Sequence, residues 1–112
     1  MIKLWIDDVR PAPEGYYWIK SVHDAIIAIQ EAEHLDMQVY RYHQTHLEGK
    51  YAIKLIDIDY DAGDYGPPDY IKLLDWLEET DRNYPIRIHS MNPVGVANMR
   101  RIIERNGWKE VL

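Results

Sequence analysis

Apolar residues in this chain come in short runs separated by turn-forming clusters, and the period of each run predicts an element. Ile2-Lys3-Leu4-Trp5-Ile6 is strand-length and stops at Asp7-Asp8. Two prolines and a glycine make Val9 to Gly15 a loop, and Tyr16 to Lys20 reads as a second strand. Ser21 followed by Asp24 is a capping pair. Val22, Ala25, Ile26 and Ile29 then share one helical face, which predicts a helix to about Glu33. Leu35 to Lys50 mixes strand and helix signals and reads as an insertion that ends in a Glu48-Gly49-Lys50 turn. Ile53 to Asp59 is a third strand, apolar along much of both faces and therefore central. A loop from Tyr60 to Pro68 follows. Asp69 is the expected cap of a helix that carries Ile71, Leu74 and Leu77 and ends near Arg82. Pro85 to Ser90 is a fourth strand, and Asn92-Pro93 opens a helix running to Asn106, with Gly107 as terminator. Trp108 to Leu112 is read as a fifth strand.

Strands alternating with helices imply an α/β domain with a parallel sheet and right-handed crossovers. Between the first two strands, however, a loop stands where a crossover helix is expected. At 112 residues the chain fits one domain, residues 1–112. The absence of cysteine rules out disulfides and thiolate metal sites. Neither a signal-like segment nor a membrane-length apolar run is present, so a cytoplasmic location is expected. The net charge of −6, with no basic run longer than Arg100-Arg101, argues against duplex DNA as a partner. It leaves room for a local site that takes a single phosphate group, on a small molecule or an RNA end.

Open parallel sheets bind ligands beyond the carboxyl ends of their strands. There the sequence sets Asp7 and Asp8 after strand one, Asp59 and Asp61 after strand three, and His89-Ser90 after strand four. Acids packed this closely repel unless a cation sits among them. Mg²⁺, or Mn²⁺, is the hard ion that such oxygen ligands suit. The expected metal ligands are Asp7, Asp8, Asp59 and Asp61. The helix start at Asn92, with the amides of Val94 and Gly95, is expected to take phosphate oxygens. Arg10 either clamps phosphate or balances the acids, and His89 is placed for proton transfer in phosphoester chemistry. Asp57-x-Asp59-x-Asp61 does not make a calcium loop, because Gly63 falls one place late and Pro68 stands where the bidentate acid belongs.

Three blocks carry a family likeness: Leu4 to Pro11 (LWIDDVRP), Asp59 to Gly63 (DYDAG) and Ile88 to Gly95 (IHSMNPVG). Together they resemble the cyclic-phosphate-processing receiver domain, a divergent relative of response-regulator receivers. The resemblance implies a flavodoxin-like three-layer sandwich with five parallel strands in the order 2-1-3-4-5. It also implies binding or processing of cyclic phosphates, with Asp7 and Asp8 as metal-side acids and Asp59 at the receiver phospho-acceptor position. His89 would be the residue that separates this group from ordinary receivers. Two departures stand out: Tyr60 replaces a frequent histidine, and the lysine that ends strand five in ordinary receivers is missing, since Lys109 lies near that strand's start. The leading expectation is metal-assisted processing of a cyclic phosphate, with Asp59 and Ser90 beside His89 as the reacting set. A phospho-accepting signalling domain and a non-catalytic phosphate-ligand or protein-interaction module are the alternatives.

Overall fold

The computed structural model describes residues 1–43, 49–63 and 69–112. Within them lie β1 (Ile2–Ile6), β2 (Tyr17–Ile19), α1 (Val22–His43), β3 (Ile53–Ile58), α2 (Ile71–Glu79), β4 (Ile86–Ile88) and α3 (Pro93–Asn106). The strands form one parallel sheet in the order β2-β1-β3-β4, and no helix lies between β1 and β2.

Among the described residues four strands form the sheet, where five are expected from the sequence. Instead of a strand, the Trp108–Leu112 segment makes a single parallel bridge, Ile86 to Glu110. Ile86 N donates to Lys109 O (2.9 Å) and Val111 N donates to Ile86 O (2.7 Å). Both bonds fall on one residue of a three-residue strand, and Arg100 on α3 holds the Glu110 carboxylate in a two-pronged pair. The segment is thus tied to α3 and does not continue along β4.

The helices depart from expectation at their ends. Asp24 N donates to Ser21 Oγ (3.0 Å), as a capping serine requires. But α1 continues past Glu33 to His43, because no Gly or Pro interrupts it, and the Leu35–Lys50 insertion therefore begins as helix. The Gln44–Glu48 part of that insertion and the Asp64–Pro68 part of the later loop lie outside the described residues. Asp69 does not cap α2. The N-cap is Tyr70 without a side-chain bond, and Asp69 Oδ1 instead accepts the Ala62 amide (3.3 Å). α2 ends at Glu79, short of the expected Arg82, and α3 has the expected bounds, with Gly107 left-handed at φ 66°.

Strand alternation decides where the core sits. Leu4, Ile6, Ile19, Ile56, Ile58 and Ile86 point to one face and join Ala25 and Ile29 of α1, Leu73, Leu74 and Leu77 of α2, and Met99, Ile102 and Ile103 of α3 in a single cluster. All three helices thus cover the same face. The registers set Trp18, Trp5, Asp57 and Arg87 side by side in a row on the opposite face. In a right-handed α/β fold the helix after β1 would cover that second face. Here the β1–β2 loop takes its place, with Trp5 Nε1 donating to Arg10 O (2.8 Å) and Tyr16 meeting the Trp5 ring edge-on. The described residues therefore make two layers, not the three expected. Among them no helix is long and apolar enough to cross a membrane.

One network ties α1 to the chain between α2 and β4. Arg82 grips the Glu33 carboxylate with Nε (2.9 Å) and Nη2 (2.8 Å), and the Tyr84 hydroxyl donates to the same group. Burial raises the Glu33 pKa, but the Arg82 and Tyr84 hydrogen bonds outweigh it and leave the group below its ordinary value of 4.5. A carboxyl with a lowered folded pKa stabilises fully above its unfolded value, and that contribution disappears as pH falls through the folded one. Glu33→Gln is expected to cost about 1 kcal/mol at pH 7 in urea unfolding, on the scale of a partly exposed charged hydrogen bond. The gap from wild type should narrow as the pH falls below about 4. A gap independent of pH would show that the charge contributes nothing.

Candidate metal and phosphate site

β1 and β3 both end in acids at the same edge of the sheet, and parallel pairing brings those ends together. Carboxylate oxygens of Asp7, Asp8 and Asp59 lie within 4.8 Å of one another. Asp7 is fully buried and heavily bonded. Its Oδ1 accepts the amides of Val9 (2.9 Å) and Arg10 (3.0 Å), while Oδ2 meets His89 Nε2 at 2.9 Å and Arg10 Nε at 3.5 Å. Burial pushes its pKa up, yet the two amides and His89 more than offset this and hold the carboxyl below its usual value. Asp7 is thus an anchored anion. Asp59 uses Oδ1 to accept its neighbour's amide, Tyr60 N (2.7 Å), which leaves Oδ2 for a ligand. Asp8 packs against Gly63, where an added Cβ would lie 2.0 Å from Asp8 Oδ2, so the loop leaves room for that carboxylate only because residue 63 is glycine.

This donor set fits a hard divalent cation: three carboxylates, one fixed and two with open oxygens. Asp61, the fourth expected ligand, lies outside the group of three. It sits two residues past Asp59, is exposed, and its Oδ1 accepts from Asn92 Nδ2 at 3.5 Å.

His89 lies beside the acids, but its ring is not open to solvent. The side chain is 7% exposed and stacks on Trp5 with ring centroids 3.7 Å apart. Its Nδ1 is 2.6 Å from Asp57 Oδ1, and its Nε2 is 2.9 Å from Asp7 Oδ2. Arg87 Nη1 donates to the other Asp57 oxygen (3.1 Å). The result is a chain of polar contacts, Arg10–Asp7–His89–Asp57–Arg87, that joins the β1 loop, β3 and β4. Asp57 is the member that sequence reasoning missed. Its place inside an apolar strand hides it, although an acid there needs a partner and His89 and Arg87 are two residues apart on one strand face.

The start of α3 is also arranged differently from expectation. Gly95 N donates to Asn92 Oδ1 (3.0 Å), so that amide serves the cap and not an anion. Gly95 also takes the Tyr60 ring closely: a Cβ there would lie 2.2 Å from the ring. Ser90 Oγ accepts Asn92 N (3.2 Å), Val94 is largely exposed, and Arg10 is half exposed above Asp7. The structure therefore brings together Asp7, Asp8, Asp59 and His89 with Arg10. It sets Ser90, Asn92 and Gly95 in the turn that closes α3 onto Tyr60, next to Asp61.

Neither a curated protein nor a solved structure matches the chain. A family model does, described as the cyclic-phosphate processing receiver domain and matched over residues 2–105. With its acid-ended parallel strands and its His89 block inside that span, the chain belongs to the cyclic-phosphate processing receiver domain family.

Proposed function

We propose that this domain opens a cyclic phosphate on a nucleotide or RNA end, using Mg²⁺ or Mn²⁺ held by Asp7, Asp8 and Asp59. The observation that carries this reading is the three-carboxylate cluster at the strand ends of a domain whose family is described by cyclic-phosphate processing. A bound divalent ion supplies Lewis-acid polarisation of a phosphoryl oxygen. The chain's own residues do the rest. The Val9 and Arg10 amides and His89 hold Asp7 in one orientation, so its carboxylate would meet an ion already aligned. The half-exposed Arg10 guanidinium offers planar donors to a phosphate oxygen. His89, with both nitrogens on carboxylates, acts through Asp7 as a positioning residue, which replaces its expected part as the direct proton donor. In hydrolysis, one water adds across one P–O ester bond, leaving a phosphomonoester and a free ribose hydroxyl.

Purified protein with Mn²⁺ or Mg²⁺ is expected to convert 2′,3′-cyclic nucleotides or cyclic-phosphate-ended RNA to monoesters, and EDTA to stop the reaction. No product on either substrate, or product made equally well in EDTA, contradicts the proposal.

A further inference from the structure

We propose that Tyr60 is a positioning residue for Asp59, the metal ligand beside it, and that its ring does this by seating on Gly95 at the start of α3. The proposal rests on the metal reading for its effect on Mn²⁺, and on the contact alone for its effect on the loop. Glycine inside a helix costs stability, because it gives up the most backbone freedom on folding. Gly95 lies in the first turn of α3, is buried, and has ordinary helical backbone without a positive φ. Any residue could adopt that conformation, so what the position requires is the missing Cβ. A Cβ there would lie 2.2 Å from Tyr60 Cγ, 2.5 Å from Cδ1 and 2.6 Å from Cδ2. Ordinary carbon contacts need about 3.5–4 Å. The base of the ring therefore rests on the helix backbone itself, and not on a side chain that could swing aside.

What this contact holds is the loop that carries the acids. Tyr60 stands between Asp59 and Asp61, and its backbone is tied on both sides. Its amide donates to Asp59 Oδ1 (2.7 Å), and its carbonyl accepts Tyr70 N (3.0 Å), while its ring packs against the core as well as on Gly95. The first of these bonds fixes the Asp59 carboxylate and leaves Oδ2 for the ion. Asn92 Nδ2 also reaches from α3 to Asp61 Oδ1, but at 3.5 Å and in the open, so the ring is the firmer tie. A displaced ring moves the Tyr60 amide, and with it the hydrogen bond that orients the carboxylate. Groups that orient a metal ligand are worth roughly 10–100-fold in metal affinity. Through Tyr60, the start of α3 thus sets the aim of an acid on β3.

The test compares wild type with Gly95→Ala, Tyr60→Phe, Tyr60→Ala and the double variant Gly95→Ala/Tyr60→Ala. Electron paramagnetic resonance reads Mn²⁺ affinity, and NMR in EDTA reads amide hydrogen exchange. Gly95→Ala keeps the amide that the Asn92 cap uses and puts a better helix former into α3. It is expected to weaken Mn²⁺ binding by about 10-fold. Exchange of the Tyr60 amide should quicken at least ~10-fold, with the amides of β1 unchanged. A glycine needed only for packing would quicken both alike, and that result overturns the proposal. Tyr60→Phe keeps the base of the ring and is expected to match wild type in both readouts. In the Tyr60→Ala background the new Cβ has room, so Gly95→Ala should change Mn²⁺ affinity no further. The same loss in both backgrounds overturns the proposal, as does Gly95→Ala that binds Mn²⁺ like wild type. Should Gly95→Ala unfold, Tyr60→Phe and Tyr60→Ala carry the test, and equal Mn²⁺ affinity in those two overturns it. Wild type without a Mn²⁺ site, but with the Tyr60 amide released in Gly95→Ala, sinks the metal reading and leaves the hold on Asp59 standing. An unchanged Tyr60 amide sinks the positioning role whatever the metal does.

Discussion

Asp59→Asn is expected to lower metal-dependent turnover of a 2′,3′-cyclic nucleotide by roughly 10²-fold or more, since loss of even an outer partner of a metal ligand costs 10–100-fold. Stability should move the other way. Asp7, Asp8 and Asp59 crowd three carboxylates within 4.8 Å, and without a cation their mutual repulsion disfavours the folded state. In EDTA, the thermal midpoint of Asp59→Asn should therefore equal or exceed that of wild type, and Mn²⁺ should raise the wild-type midpoint more than the variant's. Kinetics and differential scanning calorimetry check the two halves. A variant that is both inactive and markedly less stable in EDTA would place Asp59 in the structure and not in the metal site.

His89→Ala is expected to be the most destabilising single change on the sheet. His89 is the shared partner of two fully buried carboxylates, Asp7 and Asp57, and it also stacks on Trp5. Removing it takes a hydrogen-bond partner from each of two buried carboxylates, at a cost of roughly 1–3 kcal/mol apiece. That is a large part of the roughly 5–15 kcal/mol that holds such a domain together. Asp57→Asn keeps an oxygen facing the ring and removes one charge, so it should cost less than His89→Ala. It should still reduce metal affinity, because Asp7 is aligned through His89. Urea unfolding with wild-type-like stability for His89→Ala would mean that the bridge contributes nothing.

The sequence made legible what depends on local chemistry. Ser21 and Asn92 are capping residues whose effect lies within three positions, and Gly107 ends α3 where a left-handed residue is needed. The acids at the ends of β1 and β3 followed from the rule that parallel strands deliver their carboxyl ends to one edge. What escaped were features decided by tertiary partners. Asp57 looked like part of an apolar strand because its partners, His89 and Arg87, lie 32 and 30 residues away. The far end of α1 was hidden because residues 34–43 have neither a breaker nor a clean apolar stripe. The fifth strand failed because Glu110 is held by Arg100 on α3, a contact that no pattern of apolar residues encodes. The capping role assigned to Asp69 failed similarly: its carboxylate reaches back to Ala62 across the loop. The two-layer arrangement was implicit in the missing crossover helix, since a loop after β1 leaves the second sheet face to Trp5, Tyr16 and Arg10.

The most direct measurement of the central claim is a Mn²⁺ titration followed by electron paramagnetic resonance on wild type, Asp8→Asn and Asp61→Asn. The geometry predicts a single saturable Mn²⁺ site in wild type and in Asp61→Asn, and affinity reduced by at least ~10-fold in Asp8→Asn. Mn²⁺ left free by all three proteins, or held equally well by Asp8→Asn and wild type, would contradict the account.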